Sequence, residues 1–382
     1  MLALQDPLRL ADGSLMVPEP IAPLLALMDG SRDLDALRLG LELRTGIGLT
    51  PDQLRNLVDQ LDEAYLLDSP LFRRVLAERL QRYRDAPYRA PAFAGEIYPA
   101  DASTLTAIFD DYCKDAGDSD FAGDGPLVGI ISPHIDYHRG WKSYAQVWQP
   151  ARAAVEHAEL VIILGTDHAG SPGRFTLTRQ SYATPLGTLP TDTGLVDLLA
   201  EILGEETAFE EEVHHIGEHS VELAAVWLHY MAGGEAKTVL PVLCGFPEIL
   251  TETGETGPRI GEALALLAEV GSQRPTLVVA AGDISHVGPA FGDSWAFDAA
   301  AKGRIRESDD AWLEMACSGD KTRMEEHLRQ NGDPTRICGV SPILYMMAIL
   351  GDVPGRVVAY EQCPADEDFG SLVSIAGALY PV

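Results

Sequence analysis

The sequence predicts an α/β protein: a central sheet with helices on both faces, plus a small N-terminal winged-helix-like module. Three observations carry that expectation. Apolar runs of strand length at 127–135, 160–166, 238–244 and 277–281 lack the polar alternation of a half-exposed strand, so they read as strands buried on both faces. Helical periodicity fills the intervals between them. Residues 1–88 differ in composition from the rest, with ten arginines and no lysine, histidine or cysteine. The chain of 382 residues is long enough for one large domain, 89–382, and a small one, 1–88.

In the N-terminal module, 20–28 (PIAPLLALM) reads as a short helix stopped by Asp29-Gly30. Ser31 is placed to cap a second helix, DLDALRLGLELR, ended by Gly46 and Gly48. Thr50, Pro51 and Gln53 form a capping-box start for a third helix. Tyr65-Leu66-Leu67 reads as a short strand, and 71–84 as a further helix. Helices followed by a short wing suggest a winged-helix-like module, which raises DNA binding as a function. The charge speaks against it: 10 basic against 14 acidic residues, with Asp52, Asp59, Asp62 and Glu63 on the third helix opposed only by Arg55. Docking to a protein or peptide is the better expectation for this module.

Residues 85–100, rich in Pro and Ala, read as a linker. A helix is expected over 101–114, then a loop over 115–125. In the main domain two more strands fall near 357–360 and 372–379. Helices are expected over 143–156, 193–203, 221–231, 260–270, 299–317, 322–329 and 342–350. Neither a G-x-G-x-x-G nor a P-loop occurs.

The formal net charge of −30 opposes non-specific attraction to nucleic acid or to an anionic membrane surface. The five cysteines are irregularly spaced, with no C-x-x-C pair, which argues against a disulfide framework and a zinc knuckle. The N-terminal stretch lacks the basic and apolar regions of a signal peptide, and no apolar run has the length of a membrane-spanning helix. A cytoplasmic protein is the expectation.

Three apolar runs end in chemistry. LVGIISPH delivers His134, LVIILGTDH delivers Asp167 and His168, and LVVAAGDISH delivers Asp283 and His286. If these strands are parallel neighbours, their ends converge on one edge of the sheet. Imidazole is the commonest ligand for divalent transition metals. Two histidines with one anionic ligand is the pattern of non-haem iron oxygenases, and it lies close to a three-ligand catalytic zinc site. Asp283, Asp167, Glu218 and Cys338 are the candidate anions. Cys338 sits in a loop before an apolar helix, where a thiolate is favoured. Each has a structural reading as well: His134 and His168 as core histidines, Asp283 and Glu218 as capping groups, His138 as surface. His214 and His215, in EEEVHHIGEH, read as solvated.

The motifs ISPHIDY, ILGTDH, GEHSVE, LPVLCG, GDISHVG and ICGVSPI, in that order over about 90–382, resemble the Memo family, of the bacterial AmmeMemoRadiSam system protein B type. The resemblance implies a fold like that of the class III extradiol dioxygenases, which are non-haem iron enzymes. It implies metal ligation by His134, His168 and Cys338, with Cys338 standing where a dioxygenase has a carboxylate. It implies His286 as an acid/base group, with Asp283, His219 and Glu218 in the same pocket. Val340 and Ser341 stand where animal members have a basic residue and a histidine, and Asp136 where they have a glycine.

Two functions follow as expectations. One is a metal-dependent oxidoreductase, with Fe(II) first and copper or zinc as alternatives, acting on a small molecule or peptide; a zinc hydrolase is a separate, third and weaker expectation. The other is a non-catalytic accessory protein. For that one the resemblance implies a radical-SAM partner and a second system partner, with residues 1–88 as the docking element.

Overall fold

The computed structural model describes the chain except residues 9, 12, 118–120, 122–124, 248–257 and 296–297 and the side chain of Pro258. Most of the loop expected over 115–125 therefore lies outside the described residues. The chain divides into two compact units, Met1–Asp85 and Ala86–Val382.

In the first unit, β1 (Leu2–Leu4) pairs antiparallel with β2 (Leu15–Val17), and four helices follow: α1 (Ala22–Leu25), α2 (Leu34–Thr45), α3 (Pro51–Glu63) and α4 (Pro70–Asp85). Val17, Leu24, Leu41, Leu54 and Leu61 form its core. The capping box at the start of α3 is present as read, with Thr50 and Gln53 bonded to each other's backbone amides. Three local readings need correction. Asp33, not Ser31, caps α2 by accepting the Ala36 amide, while the Ser31 hydroxyl turns back to Asp29. The helix expected over 20–28 is a 3-10 turn at Glu19–Ile21 and a four-residue α1, because Pro20 and Pro23 supply no amide to a first α turn. Tyr65–Leu67 is no strand: Tyr65 is left-handed at φ 57°, and the Leu66 amide bonds to the Leu61 carbonyl, which closes α3.

The second unit runs α5 (Ala102–Ala116), β3 (Leu127–Ser132), α6 (Tyr137–His157), β4 (Leu160–Thr166), β5 (Phe175–Leu177), β6 (Tyr182–Thr184) and β7 (Gly187–Leu189). It continues α7 (Thr193–Leu203), α8 (Glu205–Phe209), α9 (Ser220–Met231), β8 (Val239–Cys244), α10 (Pro258–Gln273), β9 (Thr276–Ala281) and β10 (His286–Val287). It closes with α11 (Ala299–Ala316), α12 (Lys321–Asn331), α13 (Val340–Leu350), β11 (Arg356–Pro364) and β12 (Leu372–Pro381).

Eight strands form one mixed sheet in the order β10-β12-β3-β9-β4-β8-β5, with β11 also paired to β12. The four central strands β3, β9, β4 and β8 are parallel, and the flanking strands are antiparallel. Successive side chains of β4 feed opposite cores, Ile162 and Leu164 to one face and Val161 and Ile163 to the other. Residues of α7, α10 and α13 close the first core; those of α5, α6 and α9 close the second, where Phe109 stacks on Trp227 with ring centroids 4.2 Å apart. β3 ends at Ser132, just before Pro133, and Asp136 caps an α6 that begins earlier than the sequence reading had it. The short strands β5, β6, β7 and β10 carry two or three residues each, too few to show a period in the sequence.

Residues 85–100 are not a loose linker. Arg89, Phe93 and Tyr98 are buried in the second unit, and the Arg89 backbone bonds to Ser181 and Ala183.

Candidate metal centre

The register of the parallel strands puts their C-terminal ends level. Ser132 of β3 and Gly165 of β4 both pair with Ala281 of β9, and Thr166 pairs with Cys244 of β8. His134, His168 and Asp283 therefore leave the sheet at one edge. A fourth group reaches them because Gly165 has no side chain: a Cβ there would lie 2.5 Å from Ser220 Oγ and 3.0 Å from the Val221 amide, at the start of α9. That close approach carries Glu218 and His219 to the end of β4.

His134, His168 and His219 each offer a ligand atom within 4.8 Å of the others'. Each ring is pinned through Nδ1. His134 Nδ1 lies 3.1 Å from the Ala281 carbonyl; His168 Nδ1 and His219 Nδ1 each lie 3.1 Å from the Glu218 carboxylate. His134 and His168 donate from Nδ1–H to these oxygens, so Nε2 is the ring nitrogen left for a ligand, on His168 once its second proton leaves. Glu218 also accepts the backbone amides of His168, His219 and Ser220, so it fixes main chain and rings together.

The Cys338 thiol stands 3.2 Å from His134 Nε2 and accepts the Asp283 amide at 3.3 Å. It lies outside the cluster formed by the three imidazoles. A second glycine contact brings it there. A Cβ on Gly282 would come 2.4 Å from Gly339 Cα, so only glycine lets the Asp283 loop and the Cys338 loop touch. Asp283 Oδ1 accepts the His134 and Ile135 amides at 2.8 and 3.3 Å, while its Oδ2 lies 3.9 Å from His134 Nε2.

The electrostatics divide the rings. Burial, reinforced by the neighbouring His219 and His168, holds His134 well below the usual imidazole range, so it is neutral. Burial acts the same way on His168, but the Glu218 carboxylate overrides it and holds that ring well above its ordinary value. Glu218 stays ionised despite burial because His168 faces it. Burial raises the Asp283 carboxyl to about 6 and pushes the Cys338 thiol up.

Other expected residues fall elsewhere. His286 begins β10 with Nδ1 donating to the Ile284 and Arg336 carbonyls, both at 3.0 Å, and burial lowers it to about 4. It is not in the imidazole cluster. Asp167 turns to a second cluster: its carboxylate lies 2.9 Å from His214 Nδ1, while Glu211 accepts the Ser171 amide. His138 is exposed. His214 and His215 are not solvated, as their acidic surroundings had suggested. His215 is fully buried, bonded to the Tyr182 hydroxyl at 2.6 Å and the Thr176 carbonyl at 3.1 Å, and burial lowers it to about 3.

Sequence reasoning missed the support behind the site. Arg89 donates from Nε to the His215 carbonyl at 2.7 Å and from Nη2 to the Glu218 carbonyl at 3.0 Å, and Nη1 pairs with Glu222. Glu222 further accepts the Ala92 and Phe93 amides and the Tyr98 hydroxyl. The one available signal was Glu222 itself, a carboxylate in the otherwise apolar helix VELAAVWL.

A family model described as Memo-like protein matches residues 89–379. A MEMO1 family protein of Aquifex aeolicus is 25% identical over 98% of this chain and 95% of its own. One from Methanopyrus kandleri is 27% identical over 76% of this chain and 98% of its own. One from Thermus thermophilus is 28% identical over 87% of this chain and 94% of its own.

Proposed function

The chain belongs to the Memo-like protein family, and from that premise we propose that it is a metal-dependent oxidoreductase holding a divalent transition metal, Fe(II) first, at His134, His168 and His219, with Cys338 beside them. One observation carries the reading: three imidazoles converge with a ligand atom each within 4.8 Å of the others', while each Nδ1 lies against a protein oxygen, which leaves Nε2 on each ring for a cation. The rings pack on one another at 4.8–5.0 Å between centroids, and a cation shared by their nitrogens would stabilise that gathering further. Nitrogen donors with a neighbouring thiol suit iron, copper and zinc alike, and the preference for iron comes from the resemblance to the extradiol enzymes.

A bound ferrous ion would supply one-electron chemistry with dioxygen. The chain's own residues do the rest. Glu218 orients two rings through a single carboxylate, and the Ala281 carbonyl orients the third. Asp283, anchored by the His134 amide, presents its second oxygen 3.9 Å from His134 Nε2 and is the carboxyl best placed to take or give a proton there. His286, with Nδ1 engaged by two carbonyls, stands one step back.

Anaerobic purification followed by elemental analysis tests the reading. Near-stoichiometric iron is expected in the wild type and none in the His134→Ala, His168→Ala double variant; full metal content in that variant would sink the assignment. Cys338→Ser separates a thiolate ligand from a bystander by the loss or retention of metal. Because His168 is held protonated by Glu218 in the metal-free protein, metal binding displaces a proton and tightens as pH rises toward that ring's raised pKa.

A further inference from the structure

Beside the imidazoles lies a cavity of about 470 Å³ whose lining includes both His168 and Cys338. Part of its wall is apolar, from Phe246, Pro247 and Ile337, and the Phe246 side chain is half-exposed. Two acids also line it, one fully engaged and one, Asp333, through Oδ2 alone, its Oδ1 being buried without a hydrogen-bond partner. Asp167 is paired with the His214 ring, and Asp333 accepts the Ile337 amide at 2.7 Å. Among the described residues, Arg336 is the only lysine or arginine in the lining.

Arg336 is held in an unusual way. Its φ is 57°, a left-handed conformation that costs a residue with a Cβ roughly 1 kcal/mol or more. Nε donates to the His286 carbonyl at 3.0 Å, and Nη2 pairs with Asp293 at 2.5 Å. The Arg336 carbonyl in turn accepts from His286 Nδ1 at 3.0 Å. One edge of the guanidinium is thereby fixed to the protein, and Nη1 has no partner among the described residues. Backbone strain and a clamped, half-exposed guanidinium at a cavity wall are the marks of a group pre-set for a ligand rather than for folding.

We propose that this cavity binds a small organic carboxylate, held at Arg336 with its apolar body against Phe246 and Ile337 and its far end at His168 and Cys338. The proposal rests on the metal reading above and names the substrate class of the same site. A carboxylate fits better than a cation, because the clamped Arg336 guanidinium repels a cation and Asp167 is already paired with the His214 ring, which leaves only Asp333 Oδ1 without a partner. It fits better than a dianionic phosphate, because one guanidinium already shared with Asp293 offers too little charge beside Asp167 and Asp333. The net charge of −30 suppresses indiscriminate anion binding, so an anion retained here is retained by this residue.

Calorimetric titration of the full chain, metal-free and metal-loaded, with benzoate, benzamide and phenyl phosphate tests it. Benzoate is expected to bind both forms about tenfold or more tighter than uncharged benzamide. Arg336→Gln should remove that preference while metal content stays at the wild-type level. Asp293→Asn, which keeps a hydrogen-bond acceptor beside Nη2 but removes the competing charge, should tighten benzoate; a merely structural ion pair would not do so. Equal binding of benzoate and benzamide, no binding of benzoate, tighter binding of phenyl phosphate, or an Arg336→Gln variant that binds benzoate like the wild type would each overturn the proposal. The metal-free titrations stand whether or not the metal assignment survives, so the two can fail separately.

Discussion

Asp167 and His168 are consecutive in the chain, yet they serve two different clusters. Asp167 closes a small group with His214 and Glu211, in which the imidazole nitrogen sits 2.9 Å from a carboxylate oxygen and Glu211 is occupied by the Ser171 amide. His168 belongs to a group in which every carboxylate and carbonyl bond is made at the back of a ring. Both clusters collect residue types that bind metals. The first satisfies itself: donor meets acceptor inside the cluster. The second directs its satisfied Nδ1 atoms outward and leaves its remaining ring nitrogens close to one another. Residue composition does not separate a brace from a site; the direction of the bonds does.

That contrast can be broken from either side. The largest effect is expected from His134→Ala with His168→Ala, which should abolish metal loading, whereas His214→Ala should leave metal content at the wild-type level; equal losses from both would erase the distinction. Next comes Glu218→Gln, which removes the charge that orients two rings while keeping the shape. Metal affinity should fall about 10- to 100-fold, read by competition with a chromophoric chelator. Gly282→Ala tests the contact that delivers Cys338. With a Cβ 2.4 Å from Gly339 Cα, backbone must move, and a loss of about 1–3 kcal/mol is expected in urea denaturation, together with weaker metal binding. Asp167→Asn should cost less, about 1 kcal/mol, and leave the metal in place.

A pH series sharpens the same comparison. His215, neutral and buried, has its folded value lowered to about 3 from an ordinary value near 6.5. Between those limits the unfolded chain takes up a proton that the native chain refuses, so stability falls as pH drops from 6.5 toward 3. For one such group the slope is up to about 1.4 kcal/mol per pH unit. Denaturation of the metal-free protein at stepped pH should show this slope, and His215→Asn should make it shallower; an unchanged slope would mean that His215 ionises freely.

What the sequence disclosed follows from where each residue stands. His134, His168 and Asp283 were legible because each terminates an apolar run, and parallel strands level at their ends must bring such residues together. The alternation of buried strands with helices, and the two-sided sheet it produces, was legible for the same reason. His219 was seen only as a pocket residue, because its approach depends on Gly165, whose meaning appears once α9 is packed against β4. His215 was misread. A run of charged letters suggested solvent, but Thr178 accepts the burial of Glu212 by hydrogen-bonding its carboxylate at 2.9 Å, and the short 3-10 helix Glu212–Ile216 sinks with it. Arg89 and Glu222 lie 133 positions apart, and nothing local in either stretch announces the other.

The burial of Arg89 also sets where this chain can be cut. The larger unit begins at Ala86, and its first anchored side chain follows almost at once. A protein shortened to start at Ala86 keeps every partner of Glu222. One shortened to start at Gly95 leaves that carboxylate in the interior without its cation and without the Ala92 and Phe93 amides, and takes from the Glu218 carbonyl the guanidinium that supports it. Proteolysis or deletion within this short margin therefore decides whether the remaining chain still holds the imidazole cluster in shape, although none of the residues removed belongs to that cluster.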